Sequence, residues 1–133
     1  MLTLSPDNDR STKLCFSSDG VLGDKNSGLG AALDKSPHLL TESERKDFDP
    51  PILNSTKVYS QKLNGKMVLV RESLVDGKKL YRLAFNHNPD SSNPFIPAQI
   101  TFEAKSAQYK RYINQIKACL QTIRWNDKVT IVP

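Results

Sequence analysis

Two dipeptides, Asn64-Gly65 and Asp76-Gly77, constrain the fold of this chain more than any other feature. Both favour the positive backbone angles that a tight hairpin turn requires. Each lies between β-rich runs: Val58–Leu63 comes before the first, Lys66–Leu74 between the two, and Leu80–Phe85 after the second. Two such turns in series predict an antiparallel meander. In the second run Val68, Val70 and the aliphatic stem of Glu72 share a face, opposite Met67, Leu69 and Arg71. In the third, Tyr81, Leu83 and Phe85 share a face, opposite Leu80, Arg82 and Ala84. One apolar face per strand is the pattern of an antiparallel sheet with a side on a core.

Asn86–Pro97 reads as a loop with three prolines (Pro89, Pro94 and Pro97) and the turn-forming run Asn88–Asn93. Ala98–Glu103 reads as a fourth strand, with Ile100 and Phe102 inward. Ser106 is the expected cap of a helix from Ala107 to Arg124. Its apolar residues Tyr109, Tyr112, Ile113, Ile116, Leu120 and Ile123 fall within about 100° of arc, one buried stripe. Trp125-Asn126-Asp127 ends the helix, and Val129–Val132 is a candidate last edge strand. The predicted fold class is α+β. It is an antiparallel sheet or partly closed barrel of meandering strands, packed on one long C-terminal helix.

The charge divides at Pro50–Pro51. Residues 1–50 carry six Lys/Arg against nine Asp/Glu, a net of −3. Residues 51–133 carry thirteen against five, a net of +8, and the whole chain stands at +5. Residues 1–50 read as an acidic, largely flexible lead, and 51–133 as a basic globular domain. Gly20, Gly23, Gly28 and Gly30 are expected to break regular structure in the lead. Leu2-Thr3-Leu4 and Lys13–Phe16 are candidate strands that could dock on the body. Leu39–Arg45 is a candidate helical turn, with Thr41 as cap and Glu44 three residues on. Gly28-Leu29-Gly30 has neither a preceding strand nor a following GxxG, so it does not read as a phosphate loop.

Cys15 and Cys119 form no CxxC and join no His/Cys cluster, and they read as free thiols of a reducing compartment. No signal peptide is visible and no apolar run is long enough to span a bilayer. The expected location is intracellular, cytoplasmic or nuclear. Catalysis has little to work with. His38 and His87 stand at no spacing that suggests a triad or a metal pair. Glu72 and Glu103 read as exposed strand residues. The expectation is a binding protein, not an enzyme, with no metal and no cofactor.

The basic residues are more organised. Lys110, Lys117 and Arg124 recur every seven residues, a drift of only about 20° per step. They are expected to line one border of the helix's apolar stripe. Lys57, Lys62, Lys66, Arg71, Lys78, Lys79 and Arg82 cluster around the two hairpins. Such a surface attracts phosphates, those of nucleic acid or of inositol lipids. The candidate phosphate contacts are Lys66, Arg71, Lys78, Lys79, Arg82, Lys110, Lys117 and Arg124. Tyr59 and Trp125 are the candidates to stack on bases. Nucleic acid is the first choice of partner, because +8 over this body is large. The Lys/Arg-Gly-Phe/Tyr signature of sequence-reading RNA modules is absent.

The block from Gln99 to Lys117 resembles the end of a pleckstrin-homology-type domain. There a last strand of the form F-x-A-x-S leads into a capping helix. Phe102, Ala104 and Ser106 match that exit, and Ile113 and Ile116 match the helix's buried face. Tyr112 or Ile113 stands where the family usually has a tryptophan. The resemblance implies a bent antiparallel barrel closed by a helix. It also implies an adaptor that holds a protein or a phosphoinositide through a sheet edge or the hairpin loops, with a lipid-gripping loop near Lys62–Lys66. A structural subunit of a larger assembly is a third expectation.

Overall fold

The computed structural model describes residues 2–5, 11–18, 23–24, 26, 28–48, 51–52, 55–87 and 95–125. The strands are β1 (Leu2–Leu4), β2 (Lys13–Ser18), β3 (Ser55–Leu63), β4 (Lys66–Val75), β5 (Lys78–Asn86) and β6 (Pro97–Lys105). The helices are α1 (Gly28–Leu33), α2 (Glu42–Lys46) and α3 (Ser106–Leu120). All six strands join one antiparallel sheet in the order β1-β2-β6-β5-β4-β3. The fold is α+β and the sheet is open, with β1 and β3 at its edges.

The two dipeptides set the register. Asn64, Gly65, Asp76 and Gly77 all have positive φ, at 48°, 88°, 51° and 75°. Asn and Asp tolerate this region, and Gly enters it at no steric cost. The turns therefore close in two residues, pairing Leu63 with Lys66 and Val75 with Lys78. Strand parity then fixes every face in the meander. The sheet also runs across the charge divide: β2 pairs with β6 along its whole length, from Lys13↔Glu103 to Ser18↔Ala98.

On one face Val68, Val70, Tyr81, Leu83, Phe85, Ala98, Phe102 and Ala104 are buried under α3. The helical stripe Tyr109, Tyr112, Ile113, Ile116 and Leu120 packs on them. Each fully buried Val or Leu contributes about 1.5–3 kcal/mol, so this layer supplies most of the stability. The opposite face is covered only in part. There Val58 and Leu69 pack with Ala32, Leu40 and Ile52, bordered by Leu29, Leu33, Phe48 and Ala84. The glycines do not prevent α1: Gly28 enters it at φ 51°, and burial of Ala32 with Leu29 and Leu33 alongside holds the turn. The turn at Thr41 is a full capping box, with Thr41 Oγ1 accepting from Glu44 N and Glu44 Oε1 accepting from Thr41 N. Backbone bonds Leu40 N→Val58 O (3.0 Å) and Ser60 N→His38 O (2.9 Å) stitch this segment to the edge of β3.

The C-terminal helix departs from expectation at both ends. It begins at Ser106, with Lys105 at the cap position making no side-chain cap bond. Its last residue is Leu120, so Arg124 lies beyond it and the expected line of three cations keeps only Lys110 and Lys117 on the helix. The cause is capture of the exit carbonyls. Asn64 Nδ2 donates to the carbonyls of Gln121 and Ile123, and Thr122 Oγ1 donates to Cys119 O. The chain then turns back, and Trp125 Nε1 donates to Leu63 O at 2.7 Å. Val129–Val132 lies outside the described residues. No described helix is long and apolar enough to cross a membrane.

Candidate functional site

Strand parity separates the candidate cations into distinct groups. Arg71, Lys78 and Arg82 stand on the open half of the sheet, away from α3. Lys79 and Lys117 lie on the α3 side, where Lys79 Nζ is 5.8 Å from the Tyr109 ring and Lys117 Nζ is 5.3 Å from Tyr81. Lys66 Nζ sits 4.7 Å from the Trp125 ring and donates to Asn86 O at 2.8 Å. Cation–ring contacts of this kind are worth about 0.5–1 kcal/mol at exposed sites. Lys110 and Arg124 are exposed.

The first group lines a basin of about 350 Å³, bounded by Arg71, Ser73, Val75, Asp76, Lys78, Leu80, Arg82 and Glu103. Arg71 and Arg82 are direct cross-strand partners. Arg71 Nε donates to Ser55 Oγ at 2.5 Å, and Arg82 Nε donates to Thr101 Oγ1 at 3.0 Å. Each guanidinium is thus pinned to the sheet through a neutral oxygen. Among the described residues neither forms an ion pair; Glu103, whose charge acts on Arg82, pairs with Lys13 Nζ at 3.6 Å. Burial lowers the pKa of both arginines; for Arg71 the charges of Arg82 and Arg45 lower it further, while for Arg82 the charge of Glu103 works against the burial. Two pinned, half-buried guanidiniums that face each other, with no ion pair of their own among the described residues, are arranged to receive an anion. Arg offers a planar fork of donors that matches carboxylate and phosphate geometry.

Tyr59 and Trp125 both belong to the margin of the α3-side core. The Trp125 ring packs at a tilt of 54° against Phe85 with centroids 5.0 Å apart, and its N–H is spent on Leu63. Burial pushes the phenols of Tyr59 and Tyr81 above their usual values, Tyr81 the further. Burial likewise pushes Tyr109 up to about 12. These rings fill space between sheet and helix, on the far side from the basin.

One further group has the composition of a nucleophilic triad. Ser60 Oγ lies 3.3 Å from His38 Nδ1, and His38 Nε2 lies 2.8 Å from Glu44 Oε2. The bonds argue for a latch. His38 Nδ1 is 2.8 Å from Ser36 O, which only accepts, so Nδ1 carries a proton and cannot take one from Ser60. Both ring nitrogens face acceptors, which raises the pKa of His38, chiefly through Glu44. The His38 bond in turn holds Glu44 down to about 2. Lys35 Nζ joins at 3.2 Å. No cluster of three His, Cys, Asp or Glu suited to a metal occurs among the described residues.

The pairing of Arg71 with Arg82 follows from the Asp76-Gly77 turn by counting outward. Arg45, Ser55 and Thr101 were not reachable that way. Ser55 lies at an irregularity in β3, where the register shifts between Ser55 and Lys57. Arg45 comes from the lead, and its Nη1 donates to Ser55 O at 3.1 Å. Comparison with family models, curated proteins and solved structures finds no match to this chain.

Proposed function

We propose that this chain is a non-enzymatic binding module whose basic surface engages a phosphate-bearing polyanion, nucleic acid before others. One observation carries the reading: Arg71 and Arg82, cross-strand partners on the open face, have no carboxylate partner among the described residues. A half-buried cation without a counter-ion is costly to hold, and a bound phosphate offsets that cost. The body's net +8 adds long-range attraction. The test is equilibrium binding to single-stranded oligonucleotides. Affinity is expected to fall steeply from about 50 to 200 mM salt as counterion release is suppressed. Absence of binding at the low end would defeat the proposal.

A pleckstrin-homology-like adaptor is the second reading. The outer edge of β1 favours it, because no described strand pairs there and Leu4 is 58% exposed. A protein segment adding to that edge would form ladder hydrogen bonds. Vesicles with and without inositol lipids, and a pull-down comparing the wild-type chain with Leu4→Lys at the exposed β1 edge, separate this reading from the first. Retention on inositol-lipid vesicles alone, or a protein partner lost with Leu4→Lys, favours the adaptor.

A further inference from the structure

Two arginines share one anchor. Ser55 Oγ accepts from Arg71 Nε, and the Ser55 carbonyl accepts from Arg45 Nη1. Ser55 Oγ is itself 3.0 Å from Ser73 Oγ. The anchor stands at the irregularity in β3, and bulges of this kind re-aim side chains beside functional sites. Arg82 completes the group as the cross-strand partner of Arg71. Arg45 is positioned by α2, whose start is fixed by the capping box and whose Arg45 carbonyl accepts from Ile52 N at 3.0 Å.

We propose that Arg45, Arg71 and Arg82 form one phosphate site built from both sides of the charge divide, and that its ligand is a backbone phosphate of single-stranded nucleic acid. This rests on the polyanion reading above. The acidic lead therefore supplies a cation to the site. Its described helical carboxylates pair within the lead: Glu44 with Lys35 and His38, and Glu42 with Lys46. The single strand follows from shape. Arg71 and Arg82 are half-buried on a sheet floor, in a basin of about 350 Å³, and Arg45 reaches the Ser55 anchor from α2. A duplex presents its phosphates on a stiff convex surface, whereas a flexible strand can lower one phosphate to that floor. Asp76 and Glu103 line the basin as well, and they direct the anion toward the Ser55 end.

The test uses the full chain and a fluorescent oligothymidylate at low salt, free and hybridised to its complement. Arg45→Gln, Arg71→Gln and Arg82→Gln are each expected to weaken single-strand binding roughly tenfold and to reduce the salt slope by about 0.7–1. The matching Lys variants keep the charge, lose the fork and recover only part of the affinity. They also serve where a Gln variant fails to fold. Lys46→Gln, next to Arg45 and paired with Glu42, is expected to bind as the wild type does. If the strand binds but Arg45→Gln behaves like Lys46→Gln, the three-arginine site is overturned while the polyanion reading stands. Tighter binding of the hybridised strand overturns the choice of ligand. A parallel titration with inorganic phosphate follows the Nε–Hε resonances of Arg71 and Arg82. Shifts in both without any oligonucleotide binding support the site and overturn nucleic acid as its ligand.

Discussion

Arg71 and Arg82 are expected to repel one another measurably in the free protein, and a double-mutant cycle reads that repulsion. The perturbations are Arg71→Met, Arg82→Met and the pair. Each single change also removes one bond, to Ser55 Oγ or Thr101 Oγ1, worth about 1 kcal/mol net. The cycle cancels those losses and keeps only the coupling. Cross-strand partners hold their Cβ atoms about 5 Å apart. For charges about 6 Å apart the repulsion is about 0.7 kcal/mol in water and about 3 kcal/mol at an effective dielectric of 20. Half-exposed heads belong near the lower end, so the coupling is expected at about 1 kcal/mol. Because either single change relieves the same repulsion, the double variant is less stable than the two singles sum to. Urea unfolding at low ionic strength is the assay, since guanidinium chloride would itself screen the pair. In about 0.5 M salt the screening length falls to about 4 Å, and the coupling is expected to shrink to a few tenths of a kcal/mol. Saturating phosphate is expected to reverse its sign. A coupling of zero, or a favourable one, at low salt without phosphate refutes the claim that the two guanidiniums repel one another across the strands.

The latch at β3 gives a pH signature. His38 has a raised pKa when folded, so its stabilising contribution is complete below 6.5 and is lost as pH rises through the folded value. His38→Ala is therefore expected to destabilise more near pH 5.5 than near pH 8.5, by less than about 1 kcal/mol, and a pH-independent difference in urea midpoints argues against the ion pair. Glu44 runs the other way: its contribution is present above 4.5 and is lost as pH falls toward 2, so Glu44→Gln flattens the acid limb of the unfolding curve. Asn64→Gly keeps the positive-φ turn and deletes the two bonds to the α3 exit, so a cost of about 1–2 kcal/mol is expected and a neutral result contradicts the capping role. Leu83→Ala empties a fully buried site on the α3 face, with an expected cost of about 2–5 kcal/mol in the same assay, and a loss below 1 removes that layer as the main core.

Local chemistry explains which parts of this structure were legible. Asn-Gly and Asp-Gly write their own backbone angles, so the meander, its register and the facing of Val68, Val70, Tyr81, Leu83 and Phe85 could be read directly. The capping box at Thr41 and the helical stripe from Tyr109 to Leu120 are likewise short-range patterns. Distant partners decided the rest. The end of α3 was hidden because the group that stops it, Asn64, lies in the first hairpin turn. Helix α1 looked like a glycine-rich linker, and it holds because Val58 and Leu69 offer it an apolar surface. Within the site, Arg71, Lys78 and Arg82 fell on one face by parity alone. Lys79 and Lys117 went to the α3 side, a separation visible in the alternation. Arg45 was out of reach, because nothing near it in sequence announces Ser55 as its acceptor.

Mapping a bound single strand onto backbone amides by NMR tests the central claim most directly. Binding through the open arginine face predicts shifts at Arg71, Ser73, Lys78, Leu80, Arg82, Thr101 and Glu103, with Arg45 joining them and α3 unmoved. Shifts confined to Lys110, Lys117 and Arg124, with the β4–β5 residues silent at saturation, contradict it.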